Sequence, residues 1–428
     1  MKRNFLLFCC LIIPYIISSQ SLTLDSCMSK ALSRYPLVKQ YGLIEKTTEY
    51  NLSNANRAWL PQFNLSVKAS YQSDVTKIPD ALGDILTNLS GRPISFESLS
   101  RDQYQALIDM QQTIWDGGMI AARKKAIKSS AEFEKQKLTV DLYSLNDRIT
   151  QLYFGIMLID AQLKQNKLLQ DELAKNYSRV QAGIENGVAK SSDADRVKVE
   201  QMKVIQRETE LEALSRTYRQ MLSAFTGYEI SSDTKLLKPD LPEVSGNGDN
   251  KRPELLFFEA QKKVLDAQDA GVRAAVLPKI GLFAQGGYAN PALNMFDPGF
   301  NPFYIAGLRF NWNLSELYNK KDNLSKTDMS RKSVEVQKET FLFNNDLVGK
   351  QQLSEIERLK SVVNSDAVIV SLQKNIKEAA EANYVNGTIT VNDLLTEVTA
   401  ESLAEQTRLL HEIQLYMAVY QYKNNINN

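Results

Sequence analysis

Histidine is almost missing from this chain. His411 is the only one, and it sits among leucines in the last long Pro-free stretch, where a packed helix residue is expected rather than a general base. Cysteine is nearly as scarce: Cys9 and Cys10 fall in an N-terminal segment expected to be removed, so Cys27 is left with no intrachain disulfide partner. There is no CxxC pair, no P-loop and no GxGxxG after a strand. No catalytic residue, cofactor or metal ligand is therefore expected, and the chain reads as a non-enzyme. A dominant charge sign is absent too. The 51 Lys and Arg nearly balance 50 Asp and Glu, which removes any electrostatic case for nucleic acid. After the N-terminal segment no apolar run reaches the length of a transmembrane helix. Proline is absent from about 119 to 185 and from 315 to 385. At about 1.5 Å per residue, such stretches make helices of roughly 100 Å, far beyond the usual 11 or 12 residues. A hydrophobic content of 43% argues against disorder.

What the sequence does contain is a leader and a duplication. Lys2 and Arg3 precede an apolar run from Phe5 to Ile17 and then Ser18-Ser19-Gln20, the pattern of a signal peptide over residues 1–20. A retained membrane anchor is the competing reading of the same run. Downstream, Tyr104, Ala106, Asn186, Gly187 and Asp193 recur 200 residues later as Tyr304, Ala306, Asn386, Gly387 and Asp393. Upstream of these, Pro36, Ala58, Leu60, Pro61 and Tyr71 recur 217 residues later as Pro253, Ala275, Leu277, Pro278 and Tyr288. A repeat this long sets the architecture. The expected division is a first copy at 21–227, a linker at 228–250 and a second copy at 251–428. Each copy reads helix, strand, strand, long helix, helix.

The local pattern gives a helix over about 24–60, ended by Pro61. Phe63, Leu65, Val67, Ala69 and Tyr71 then alternate with Asn64, Ser66, Lys68 and Ser70, which makes a two-faced strand over about 62–74. Residues 74–100 read as a loop. A second strand over 101–115 places Tyr104, Ala106, Ile108, Met110 and Ile114 on one face. A continuous helix is expected over 119–185, broken at Asn186-Gly187, and another from about 192 to 225. In the second copy a helix ends at Pro278 and strands follow over about 279–289 and 302–315. The last strand puts Tyr304, Ala306, Leu308, Phe310, Trp312 and Leu314 on one face. The final helices break at Asn386-Gly387 and end near Lys423.

A soluble half-buried sheet shows the same alternation. Long strands that adjoin very long helices and follow a signal peptide favour a membrane barrel instead. Four strands cannot close such a barrel, and open edges cannot face lipid, so several chains must share one. Leu65, Val67, Tyr104, Ile108, Tyr304, Leu308, Phe310 and Trp312 are then the lipid-facing residues. The competing readings are a structural or adhesive coiled-coil surface protein and a simple uptake porin. The interrupting strands speak against the first and the long helices against the second.

Several segments resemble the TolC family of outer-membrane efflux proteins. They are Leu22-Thr23-Leu24-Asp25 with Ala31-Leu32 and Pro36, Trp59-Leu60-Pro61-Gln62-Phe63, Val276-Leu277-Pro278-Lys279-Ile280 and Ile114-Trp115-Asp116-Gly117-Gly118. The two turn segments, Asn186-Gly187 through Asp193 and Tyr384-Val385-Asn386-Gly387 through Leu395, complete the resemblance, which spans about 22–425. Two departures stand out. Trp312-Asn313-Leu314-Ser315-Glu316 lacks the glycine pair, and the first turn lacks an apolar pair like Leu394-Leu395. The resemblance implies a mainly α chain with a membrane β-barrel portion, assembling as a homotrimer with a twelve-strand barrel and a twelve-helix periplasmic tunnel. It implies a passive duct in the outer membrane of a Gram-negative bacterium, in contact with outer-membrane lipid, a periplasmic adaptor and an inner-membrane transporter. Asn186, Gly187, Asn386, Gly387 and Thr388 would face the adaptor. Family tunnels narrow near acidic residues before the second turn. Glu378 and Glu381, three apart on one helix face, are the matching candidates for a periplasmic gate. Glu381 stands where the first copy has Gln181.

Overall fold

The computed structural model describes residues 22–77, 79–93, 99–244, 250–294, 297 and 299–427, so the expected signal peptide and residues 245–249 lie outside the described residues. The chain is mainly helical with one small sheet. Its elements are α1 (Leu24–Arg34), α2 (Lys39–Arg57), β1 (Gln62–Tyr71), α3 (Asp80–Ser90), β2 (Asp102–Trp115), α4 (Met119–Tyr143), α5 (Leu145–Glu185), α6 (Ser191–Thr226), α7 (Pro253–Ala275), β3 (Lys279–Asn290), β4 (Asn301–Asn311), α8 (Ser315–Val385) and α9 (Val391–Ile426). They divide into two compact units, each drawing on both sequence copies. One comprises residues up to 39, 138–253 and 340–427; the other comprises 40–137 and 254–339.

Four sequence expectations are corrected. The first helix is two, because Pro36 cannot extend α1 and instead opens a 3-10 turn over Pro36–Val38. The stretch 119–185 is interrupted at Ser144, whose hydroxyl donates to the Asp141 carbonyl at 2.8 Å and competes with the helical ladder. Residues 80–90, expected as loop, form α3, which stops at Gly91 in the left-handed region (φ 65°). Its apolar Leu82, Ile85 and Leu89 have helical spacing but lie in a short run diluted by Gly83 and polar residues. Finally, β4 ends at Asn311 rather than 315. Its ladder partner β3 begins opposite, at Lys279, directly after Pro278, which has no N–H to continue the pairing.

The helical unit has a core around Tyr153, Phe154, Leu24, Cys27 and Leu222. The Tyr153 hydroxyl lies 2.7 Å from the Leu22 carbonyl and 2.6 Å from that of Leu237, and burial holds its proton well above the usual tyrosine range. Leu22 also exchanges backbone hydrogen bonds with the segment after α6, donating to Lys235 and accepting from Leu237. Arg219 clamps that segment: its Nη1 donates to the Ser231 and Thr234 carbonyls, and its Nη2 donates to both carboxylate oxygens of Asp160 at 2.6 and 2.8 Å. Cys27 is fully buried inside α1, and burial pushes its thiol up to about 11, as for a packed core residue.

Candidate functional site: a two-faced sheet and two helical turns

In the other unit the strands form an antiparallel meander in the order β1-β2-β3-β4. Register fixes the faces, because directly paired residues project to the same side. Leu65 pairs with Ile108, Ile108 with Gly286, and Gly286 with Tyr304. Val67, Ala106 and Tyr288 make a second row on that face, and Leu282 pairs with Leu308 in another. Of the eight candidate lipid-facing residues, seven therefore share one face: Leu65, Val67, Tyr104, Ile108, Tyr304, Leu308 and Phe310. They are exposed in the single chain, with Tyr304 at 83% and Val67 at 77%. Trp312 is the exception. It lies past the end of β4, and its indole N–H donates to the Val276 carbonyl at 3.0 Å. A second correction concerns Ile114. A bulge between Thr113 and Trp115 leaves Ile114 out of register, and Trp115 opposite Ile280 takes the apolar row instead.

The opposite face carries Asn64, Ser66, Lys68, Gln105, Asp109 and Gln285. Here Gln285 donates to Asp109 at 2.8 Å. The outer ladders of β1 and β4 have no strand beside them among the described residues. β2 and β4 run into helices by different caps. After β2, Asp116 accepts from the Gly118 and Ile120 amides, while Gly117 and Gly118 take φ values of 68° and 88°. After β4, Asn313 accepts from Ser315, which explains how that exit forms without glycines. Among the described residues no helix is long and apolar enough to cross a membrane.

In the helical unit the two turns match closely. Gly187 and Gly387 adopt φ values of 74° and 72°, and each turn closes by amides returning to the preceding helix. Asn186 donates through its side chain to Ala182, and Thr388 through its hydroxyl to Asn383. Arg196, after the first turn, donates to Asn392, after the second, at 3.1 Å. All five candidate turn residues are exposed, whereas Leu394 and Leu395 belong to the core beneath.

The two candidate gate residues part company. Glu378 is exposed on α8. Glu381 is half-buried and lines a cleft of about 680 Å³ between α5, α8 and α9. At the cleft's centre is a group that sequence reasoning missed. Lys377 lies 3.3 Å from Glu172 and 3.5 Å from Glu401, with side-chain exposures of 15%, 23% and 15%. Burial alone would lower the Lys377 ammonium, but Glu172 and Glu401 together outweigh it and hold it above its ordinary value. Glu172 moves the other way from a normal ion-pair acid. Burial raises it, Lys377 offsets part of that, and nearby Glu381 and Glu401 add repulsion. Lys377 thus bridges Glu172 and Glu401, with Glu381 adding a third carboxylate nearby. The available signal was the 200-residue offset, which sets Lys377, Glu381 and Glu401 against Tyr177, Gln181 and Gln201.

No family model matches the sequence, and no curated relative matches it. Solved structures do share its shape. The outer membrane protein VceC of Vibrio cholerae superposes with a TM-score of 0.67 at 14% identity, over 95% of this chain and 96% of that one. The CmeC outer membrane channel of Campylobacter jejuni gives 0.66 at 14% identity, over 94% and 85%. The open state of the MtrE outer membrane channel of Neisseria gonorrhoeae gives 0.65 at 13%, over 95% and 89%. The chain thus has the fold of the TolC-type outer-membrane channels, the family its sequence resembles.

Proposed function

We propose that this chain is one third of an exit duct in the outer membrane of a Gram-negative bacterium. The observation that carries the reading is the four-stranded sheet with two open edges, one apolar face and one polar face. An open edge in lipid leaves backbone groups unpaired at several kcal/mol each, so β1 of one copy must pair with β4 of the next. Three copies give twelve strands, within the range of natural barrels. The apolar face then meets lipid and the polar face lines water. The helical unit supplies a periplasmic tunnel wall of twelve helices.

As a member of the family it resembles, the chain passes cargo without an energy source of its own. An inner-membrane transporter drives the cargo, and a periplasmic adaptor couples the two. Asn186, Gly187, Asn386, Gly387 and Thr388 are the surfaces offered to the adaptor. Threefold symmetry turns Glu378 and Glu381 into rings of carboxylates that narrow the tunnel and favour cations.

The test is reconstitution of the purified protein into planar bilayers, with its mass determined in detergent. The expected result is a heat-modifiable trimer that opens defined conductance steps. A stable monomer, or a trimer that never conducts, would return the adhesive coiled-coil reading. Neutralising Glu378 and Glu381 together should raise conductance or relieve block by multivalent cations. If neither changes, the carboxylates are not the gate.

A further inference from the structure

The polar face of the sheet is not evenly polar. Across its registered rows it holds Lys68, Lys279 and Arg309 against one carboxylate, Asp109, which already accepts from Gln285. Two of the three cations lie together at the end of the sheet nearest the strand-to-helix exits. Arg309 pairs with Gly281, and Lys279 pairs with Asn311, so the two side chains are diagonal neighbours on adjacent strands. Both line a cleft of about 360 Å³ whose walls also include Gln62, Gln111 and Asn311. The one carboxylate in its lining, Asp116, is buried and spends both oxygens on the amides of Gly118 and Ile120. Among the described residues neither Lys279 nor Arg309 is ion-paired.

Arg309 is also held in place. Its guanidinium lies 5.0 Å from the centre of the Phe283 ring. That ring packs against Gly307, close enough that a Cβ there would stand 3.0 Å from it. A glycine on the strand thus seats an aromatic ring, and the ring seats the cation. Two cations thus stand beside amide donors in a cleft whose one carboxylate, Asp116, is turned to the backbone of the strand-to-helix exit.

We propose that Lys279 and Arg309 form a cationic collar inside the barrel that binds the anionic groups of cargo, whether carboxylate, phosphate or sulfate. The proposal rests on the trimeric barrel reading. Threefold symmetry would make a ring of six positive charges on the water side, facing a lumen with low-dielectric walls. The collar gives the barrel a preference opposite in sign to that of the carboxylate rings in the tunnel.

The experiment uses the full-length trimer in planar bilayers with inositol hexakisphosphate added on the barrel side. The expected result is current block by the polyanion that weakens at least about tenfold in the K279E/R309E variant, because a six-charge ring is inverted. The reversal potential in a salt gradient should move toward cation preference at the same time. K279Q/R309Q should give intermediate values and covers the case in which the charge-reversed trimer does not assemble. K279R/R309K should behave as the parent. Unchanged block and reversal potential in variants that still conduct would overturn the collar and leave the duct intact. A parent protein that never conducts would instead overturn the duct reading, and the collar with it.

Discussion

The two helical hairpins have the same turns and different chemistry beneath them. Below the first turn, Gln181 donates to the Tyr177 hydroxyl at 2.8 Å, and Gln201 donates to the Leu173 carbonyl at 3.3 Å. Each polar group is satisfied within α5 and α6, at no electrostatic cost. Below the second, the residues 200 positions on are Lys377, Glu381 and Glu401, and Lys377 pairs both with Glu401 in its own hairpin and with Glu172 outside it, on α5. Deeper along the helices the contrast recurs. Asn166 donates to the Val204 carbonyl at 3.0 Å, whereas Asp366 pairs with His411 at 2.7 Å. Next to its turn the first hairpin is bonded by neutral groups, and its buried ion pair, Arg219 with Asp160, lies elsewhere along the helices; the second hairpin carries its charges beneath the turn and shares them with α5. A duplicated fold can therefore keep its geometry while a handful of substitutions changes the electrostatics beneath one of its two turns.

The largest effect should come from removing the shared cation. Lys377→Met leaves Glu172 and Glu401 facing each other in a poorly solvated cleft, at a cost of about 2–4 kcal/mol. The matching change in the first copy, Tyr177→Phe, removes one neutral hydrogen bond and should cost about 0.5–1.5 kcal/mol. Denaturant midpoints of the two variants measure the difference. Equal losses would erase the asymmetry between the two hairpins.

Next are the turn glycines. Gly187 and Gly387 share a left-handed φ within two degrees, 74° against 72°. A side chain there costs roughly 1–2 kcal/mol in either copy. Gly187→Val and Gly387→Val should therefore lower stability equally, in contrast to the pair above. Unequal losses would mean that the two turns differ in more than their charges.

Much of this comparison was legible in the sequence. The strands showed themselves by strict alternation, and the long helices by the absence of proline. Gly187 and Gly387 marked the turns because only glycine takes positive φ without strain. What failed to show was set by pairing rather than by periodicity. Ile114 keeps the alternation on paper, and only its displacement against β3 reveals the bulge. Trp312 continues an apolar pattern, but Pro278 has already ended the partner strand. The Lys377 cluster joins residues 205 positions apart, which no local window can connect. The cationic collar was hidden for the same reason. Lys279 and Arg309 are 30 residues apart and become neighbours only through the register of β3 and β4.

A smaller effect lies in the pH dependence. Burial raises Glu172 above its ordinary value, so the folded chain holds that proton more tightly than the unfolded chain does. The associated stability is fully present below the unfolded carboxylate range and is lost as pH rises through the raised value. Melting temperature should therefore fall between those limits more steeply in the parent than in Glu172→Gln, where the titrating group is gone. Parallel curves for the two proteins would show that Glu172 does not carry the penalty. Gln181→Glu in the first copy would add a carboxylate beside Tyr177 and serves as the converse.

The smallest contrast is in the caps that follow the turns. Thr390 and Asp393 form a reciprocal box: the Asp393 amide donates to the Thr390 hydroxyl at 3.2 Å, and the Thr390 amide donates to Asp393 at 2.9 Å. Lys190 has no side-chain oxygen, so only one half survives there, the Lys190 amide donating to Asp193 at 3.0 Å. Thr390→Ala should reduce the second turn to the half-box of the first, at about 0.5–1 kcal/mol. Lys190→Thr should complete the first box and recover a similar amount. Amide exchange at residues 191–194 and 391–394 reads both directly, because a capped amide opens less often. If Lys190→Thr brings no added protection, the first turn is constrained by something other than its cap, and the likeness of the two turns ends at their glycines.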